Sequence, residues 1–117
     1  MKDTISALKV ASADMLFPSE TDAPFEVFGW GKANNTADTV RTWGGFSQDD
    51  ACRGESLDDF FGDLLEEKEF QALKKAIEKS LADVKVYRCG SIEMTYFIVG
   101  TTRDGQLAGL KTTGVET

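Results

Sequence analysis

Ile5, Leu8, Ser12, Met15 and Leu16 recur near helical spacing, with Lys9 and Asp14 off the stripe, so the chain is predicted to open with an amphipathic helix. Pro18 is expected to stop it, because proline lacks a backbone donor and restricts the residue before it. Ser19-Glu20-Thr21-Asp22-Ala23-Pro24 then reads as an exposed polar loop between prolines. Phe25-Glu26-Val27-Phe28-Gly29-Trp30 is aromatic and β-branched, which predicts a strand. Thr39 to Trp43 can return as a second strand through the turn-forming pair Asn34-Asn35, closing a hairpin. The polar, glycine-bearing stretch from Gly44 to Gly54 reads as a loop.

Ser56-Leu57-Asp58-Asp59 resembles a capping box, with the Ser56 hydroxyl accepting from the Asp59 backbone and the Asp59 carboxylate reaching back. The short helix it starts is expected to run to about Leu65. A longer one follows, its apolar stripe being Phe70, Leu73, Ile77 and Leu81. Val84 to Cys89 alternates as a strand does, and Gly90-Ser91 turns the chain. Ile92, Met94, Tyr96 and Ile98 then share one face of the next strand. Glu93, Thr95, Phe97 and Val99 share the other, and the apolar end of both sets predicts burial on two sides. Asp104-Gly105 is a strong hairpin signal, and Leu107 to Val115 supplies the returning strand. Tight turns between successive strands make them antiparallel, so an α+β layered fold around an antiparallel sheet is expected.

At 117 residues the chain is the size of one domain, expected to span 1–117. No apolar run approaches the roughly 20 residues that cross a bilayer, and the N-terminus carries no signal-peptide pattern. Cys52 and Cys89 are then read most simply as free thiols of a cytoplasmic protein. Acids outnumber bases 20 to 13, for a net charge of −7. Nine of those acids fall between Asp49 and Glu69, against only Arg53 and Lys68. Phosphate backbones repel such a surface, so direct nucleic-acid binding is not expected. A basic protein is the better electrostatic partner, although the same charge also serves plain solubility.

Histidine is absent, which removes the commonest general base and metal ligand. Asp49/Asp50, Asp58/Asp59 and Glu66/Glu67 are adjacent acids, and neighbours on a helix diverge by about 100°, so they read as solvated faces rather than an acid–base pair. Cys89 beside Arg88 reads as a structural thiol, because neighbours on a strand point to opposite faces. Gly100, Gly105, Gly109 and Gly114 lack the strand-to-helix context of a phosphate loop. No catalytic residue and no cofactor of its own are assigned. Trp30 is expected in the core, while Trp43 is left open between core and binding anchor. The proline-flanked loop presents Glu20 and Asp22, and a stiff carboxylate loses little entropy on meeting an arginine or lysine of a partner.

Leu16-Phe17-Pro18-Ser19-Glu20, Pro24-Phe25-Glu26-Val27-Phe28, Val86-Tyr87-Arg88-Cys89-Gly90 and the tail from Leu107 to Thr117 together resemble the nuclease A inhibitor family of small bacterial proteins. The resemblance implies a three-layer αβα sandwich with a mainly antiparallel sheet, like pathogenesis-related protein 1. It implies a non-enzymatic inhibitor, a monomer when free, that plugs the active site of a Mg²⁺-dependent, sugar-nonspecific nuclease. Glu20 would meet the catalytic basic residues, and Thr117 would point toward the Mg²⁺ carried by the nuclease. Asp22 and Glu116 flank them as further partner-binding residues. The chain departs from the family in passing through Gly62-Asp63-Leu64-Leu65-Glu66-Glu67 without the family's Asp-Trp insertion. The alternative is an acidic protein-interaction module on the same scaffold with a partner that is not a nuclease.

Overall fold

The computed structural model describes residues 2–19 and 22–115. Its elements follow the order α1 (Lys2–Ser12), β1 (Leu16–Phe17), β2 (Ala23–Pro24), β3 (Glu26–Gly31), α2 (Ala37–Gly44), β4 (Cys52–Glu55), α3 (Leu57–Phe61), a 3₁₀ turn (Gly62–Glu66), α4 (Lys68–Ser80), β5 (Ala82–Gly90), β6 (Glu93–Thr101) and β7 (Leu107–Val115). Strands β3 to β7 form one antiparallel sheet in the order β3-β7-β6-β5-β4, and β1 and β2 pair as a separate hairpin. The α+β class and the antiparallel sheet are as expected.

Strand β6 lies between β7 and β5 and is buried on both faces. Met94, Tyr96 and Ile98 join a cluster with Leu8 of α1, Leu57, Phe60 and Phe61 of α3, and Phe70, Leu73 and Ile77 of α4. Phe97 and Val99 point the other way, into a second cluster with Val40 of α2, Tyr87, Cys89 and Leu107. The split follows from the two-residue period of a strand, which sends alternate side chains to opposite faces. The β6–β7 approach also fixes one glycine. A Cβ at Gly109 would run into the Ile98 carbonyl.

Four expectations are corrected. The segment read as a strand from Thr39 to Trp43 is helix α2. Thr36 caps it, its side chain accepting from the Thr39 N–H at 3.3 Å, and Gly45 ends it in the left-handed region at φ 85°. Ala37, Val40 and Gly44 recur at helical spacing along its inner side, with Val40 fully buried. The supposed loop up to Gly54 contains β4, which pairs with β5 along the sheet edge. That pairing sets Cys52 opposite Cys89, with Cα atoms 4.1 Å apart, and the two form a disulfide. They are therefore not free thiols, and the cysteine-based case for a reducing compartment lapses with them.

Helix α1 ends at Ser12, well before Pro18, with Asp14 at φ 62° breaking the helical path and the Ser12 hydroxyl donating to the Leu8 carbonyl at 2.8 Å. Smaller differences follow the same physics. Ser56 accepts from the Asp59 N–H at 3.0 Å as expected, and the helix it caps is completed by the 3₁₀ turn rather than running on to Leu65. Ile92 lies in the turn before β6 and is 64% exposed. No helix among the described residues is long and apolar enough to cross a membrane.

Candidate functional site

The sequence directs attention to the segment after α1 and to the end of β7, and the fold roots these two in one place. Residues 18–22 connect the two strands of the β1–β2 hairpin, in which Phe17 pairs with Ala23 and Leu16 with Pro24. Two residues per strand hold little on their own. The hairpin is instead tied to β7: the buried Thr112 hydroxyl donates to the Pro24 carbonyl at 3.0 Å, with the Ala23 carbonyl at 3.5 Å. A side chain at Gly114 would meet Tyr96 at 3.0 Å and the Phe17 ring at 3.4 Å, so the hairpin sits directly on the last residues of β7.

Aromatic packing makes that seat rigid. The Phe17 ring stacks on Phe60 with centroids 5.1 Å apart, lies 5.2 Å from Tyr96 and meets Phe25 edge-on at 6.3 Å. Such pairs add about 0.5–1.5 kcal/mol each beyond burial. Beneath them, the Arg88 guanidinium lies over the Tyr96 ring at 5.2 Å, and its Nε donates to Glu55 at 2.8 Å with both side chains mostly shielded. Glu55 is thus one of the nine clustered acids with a structural task. Asp58 is another, paired at 2.6 Å with Lys74, whose ammonium it holds above its ordinary pKa by hydrogen bonding.

Of the residues singled out from the sequence, Asp22 is exposed immediately before β2. Glu20, Glu116 and Thr117 lie outside the described residues. Trp43, left open between core and surface, is 41% exposed, and its ring meets Trp30 edge-on at 5.9 Å. Trp30 is half-buried, stacked on Phe28 at 4.2 Å. Thr112 was not foreseen, since one threonine in an alternating strand gives no sign of a hydrogen bond to a segment 88 residues away. Among the described residues no group of three or more metal-ligating side chains comes together.

The class defined so far is an α+β domain whose five-stranded antiparallel sheet carries a short hairpin on the end of one strand. The model of one protein family, described as nuclease A inhibitor-like protein, matches residues 2–117. The chain belongs to that nuclease A inhibitor-like family, which is consistent with inhibition of a nuclease rather than catalysis. No curated protein sequence matches the chain.

Proposed function

We propose that the protein inhibits a Mg²⁺-dependent, sugar-nonspecific nuclease by plugging its active site, with Glu20 against the catalytic basic residues and Thr117 toward the metal of the nuclease. The observation that carries this reading is the common root of the two segments. Phe17 and Gly114 pack against each other, and Glu20 and Thr117 each follow one of them by three residues. Three residues of chain reach at most about 10–11 Å, so one pocket in a partner can receive both. A carboxylate neutralises a cationic group that normally meets phosphate, and a hard divalent cation prefers oxygen ligands such as those of a threonine. The pair would imitate the charge of a nucleic acid without presenting a bond to cleave. Asp22 and Glu116 add negative charge beside them, which favours rapid encounter with a basic cleft. The metal belongs to the nuclease, and the inhibitor supplies oxygen.

The test is a cleavage assay with a purified sugar-nonspecific, Mg²⁺-dependent nuclease of the source cell acting on plasmid DNA and on RNA, with and without the protein. The parent chain is expected to suppress both activities stoichiometrically. Glu20→Ala and deletion of Thr117 should each weaken the complex by roughly 2–5 kcal/mol, the usual cost of truncating one partner of a desolvated charge pair. If the parent leaves cleavage untouched, the reading falls, and an acidic module with a partner other than a nuclease takes its place.

A further inference from the structure

Helix α2 is too short to cover its face of the sheet. It ends at Gly44, which packs so closely on Phe97 that a Cβ there would lie 2.7 Å from the ring. The next two rows of the same face, Thr95 opposite Thr113 and Glu93 opposite Val115, have no helix above them. There a cleft of about 460 Å³ opens, walled by Phe46 and lined by Glu93, Thr95, Thr113 and Val115. Phe46 is fixed edge-on against Phe97 at 6.0 Å.

We infer that this cleft receives a lysine or arginine side chain of the protein partner. The inference rests on the reading of the chain as an inhibitor and adds a second contact to it. The lining fits an aliphatic stem with a cationic head: an aromatic wall, two hydroxyls that can accept, and one carboxylate. That carboxylate is uncommitted. Glu93 is exposed, and no lysine or arginine of the described residues lies within ion-pair distance of it. Lys111 stands on the same face one row further in, with Glu26 3.8 Å from its ammonium, and Lys85 lies a further row away, opposite Val99. The position is continuous with the proposed plug, since Glu93 pairs with Val115, two residues before Thr117. Ile92, 64% exposed, lies in the turn immediately before Glu93.

Two measurements on the full chain test the cleft separately from the plug. In the first, N-acetyl-arginine amide is titrated into the labelled protein and amide resonances are followed by NMR. Saturable shifts are expected at Thr95, Thr113 and Val115, to be lost in Glu93→Gln and absent with the neutral citrulline analogue. In the second, the complex with the nuclease is measured for Glu93→Gln and Glu93→Lys, with losses of roughly tenfold and a hundredfold expected from removing and reversing one interfacial charge. Shifts that survive Glu93→Gln, or none at the cleft, overturn the inference whatever the nuclease does. Unchanged nuclease affinity in both variants overturns it while leaving the plug intact. Should the parent not bind the nuclease, the inhibitor reading and the partner assigned to the cleft fall together, and the titration alone decides whether the cleft takes a cationic side chain.

Discussion

Asn35 is a small residue with a large structural load, and its removal provides a quantitative test of the fold. Its side-chain amide donates to the Asp83 carbonyl at 2.9 Å and to the Val99 carbonyl at 3.1 Å, while its oxygen accepts from the Tyr87 hydroxyl at 2.9 Å. The need arises in the sheet. Between Ala82 and Lys85 the β5–β6 register shifts, with Asp83 at φ 51°, and Asn35 reaches across that irregularity. Asn35→Ala strands the partly buried Val99 carbonyl, at a cost of about 1–3 kcal/mol for an unsatisfied group. The Asp83 carbonyl is exposed and can turn to water, and Tyr87 keeps the Asn35 backbone carbonyl at 2.9 Å. A net loss of about 2 kcal/mol is expected. For 117 residues at roughly 2.1 cal/mol/K each, that lowers the melting temperature by about 8 °C. Thermal and urea unfolding check it, and Asn35→Asp, which keeps the acceptor and loses the donors, should lose at least as much. A loss below about 0.5 kcal/mol for Asn35→Ala would refute the assignment, because it would mean that water satisfies Val99 equally well.

Other expectations follow from the same structure. Burial, with help from the negative charge of Asp83, pushes the Tyr87 phenol up to about 12 from its ordinary value near 10. In a Tyr96→Phe background, the ultraviolet signal of phenolate should therefore appear only near pH 12. Because the folded state holds the proton more tightly, the contribution to stability is complete below about pH 10 and is lost as the pH rises toward 12. The unreduced, denatured chain should show no titratable thiol, and replacing Cys52 and Cys89 together by serine should cost up to about 4 kcal/mol, from the entropy of closing a loop across a separation of 37 residues. Thr112→Val keeps the shape but removes the donor to Pro24, so it should cost about 1 kcal/mol in stability while weakening the proposed nuclease complex through a loosened hairpin. Restored binding in a variant whose hairpin is cross-linked would separate that positioning role from direct contact.

How far the fold could be read in advance depended on how many signals each segment carried. Strands β5, β6 and β7 were legible because alternation, a tight Asp-Gly turn and apolar residues on both faces agreed. Helix α4 was legible through Phe70, Leu73 and Ile77. Helix α2 was missed because Thr39, Val40, Thr42 and Trp43 favour strands intrinsically, and the capping pair Thr36 and Gly45 outweighed that preference. Strand β4 has one inward residue, Cys52, beside Arg53, Gly54 and Glu55, so no hydrophobic period existed to detect. The disulfide was hidden for the same reason, since only the β4–β5 register brings the sulfurs together. At the candidate site, the proline-flanked loop suggested a presented carboxylate. The roles proposed for Glu20 and Thr117 came from resemblance, and the hydrogen bond from Thr112 depended on a chain reversal that no local pattern encodes.

A loop that acts by presenting charge has to be held before the partner arrives, or the entropy of ordering it is subtracted from the affinity. A hairpin of two residues per strand cannot supply that order by itself. The two strands at its base are held from outside: Phe17 is clamped among Phe60, Tyr96 and Phe25, and Thr112 ties the returning strand to β7. The same strand, β7, leads into residues 116 and 117 and forms one wall of the Glu93 cleft. Three elements assigned to the partner thus depend on one strand near the middle of the sheet, which is locked between β3 and β6. Loosening β7 should therefore weaken all three contacts together, whereas truncating Glu20 or Glu93 should weaken only its own. That difference separates a rigid composite surface from three independent contacts, and the β7 variant, which should weaken the Glu20 and Glu93 contacts together, is the measurement that decides it.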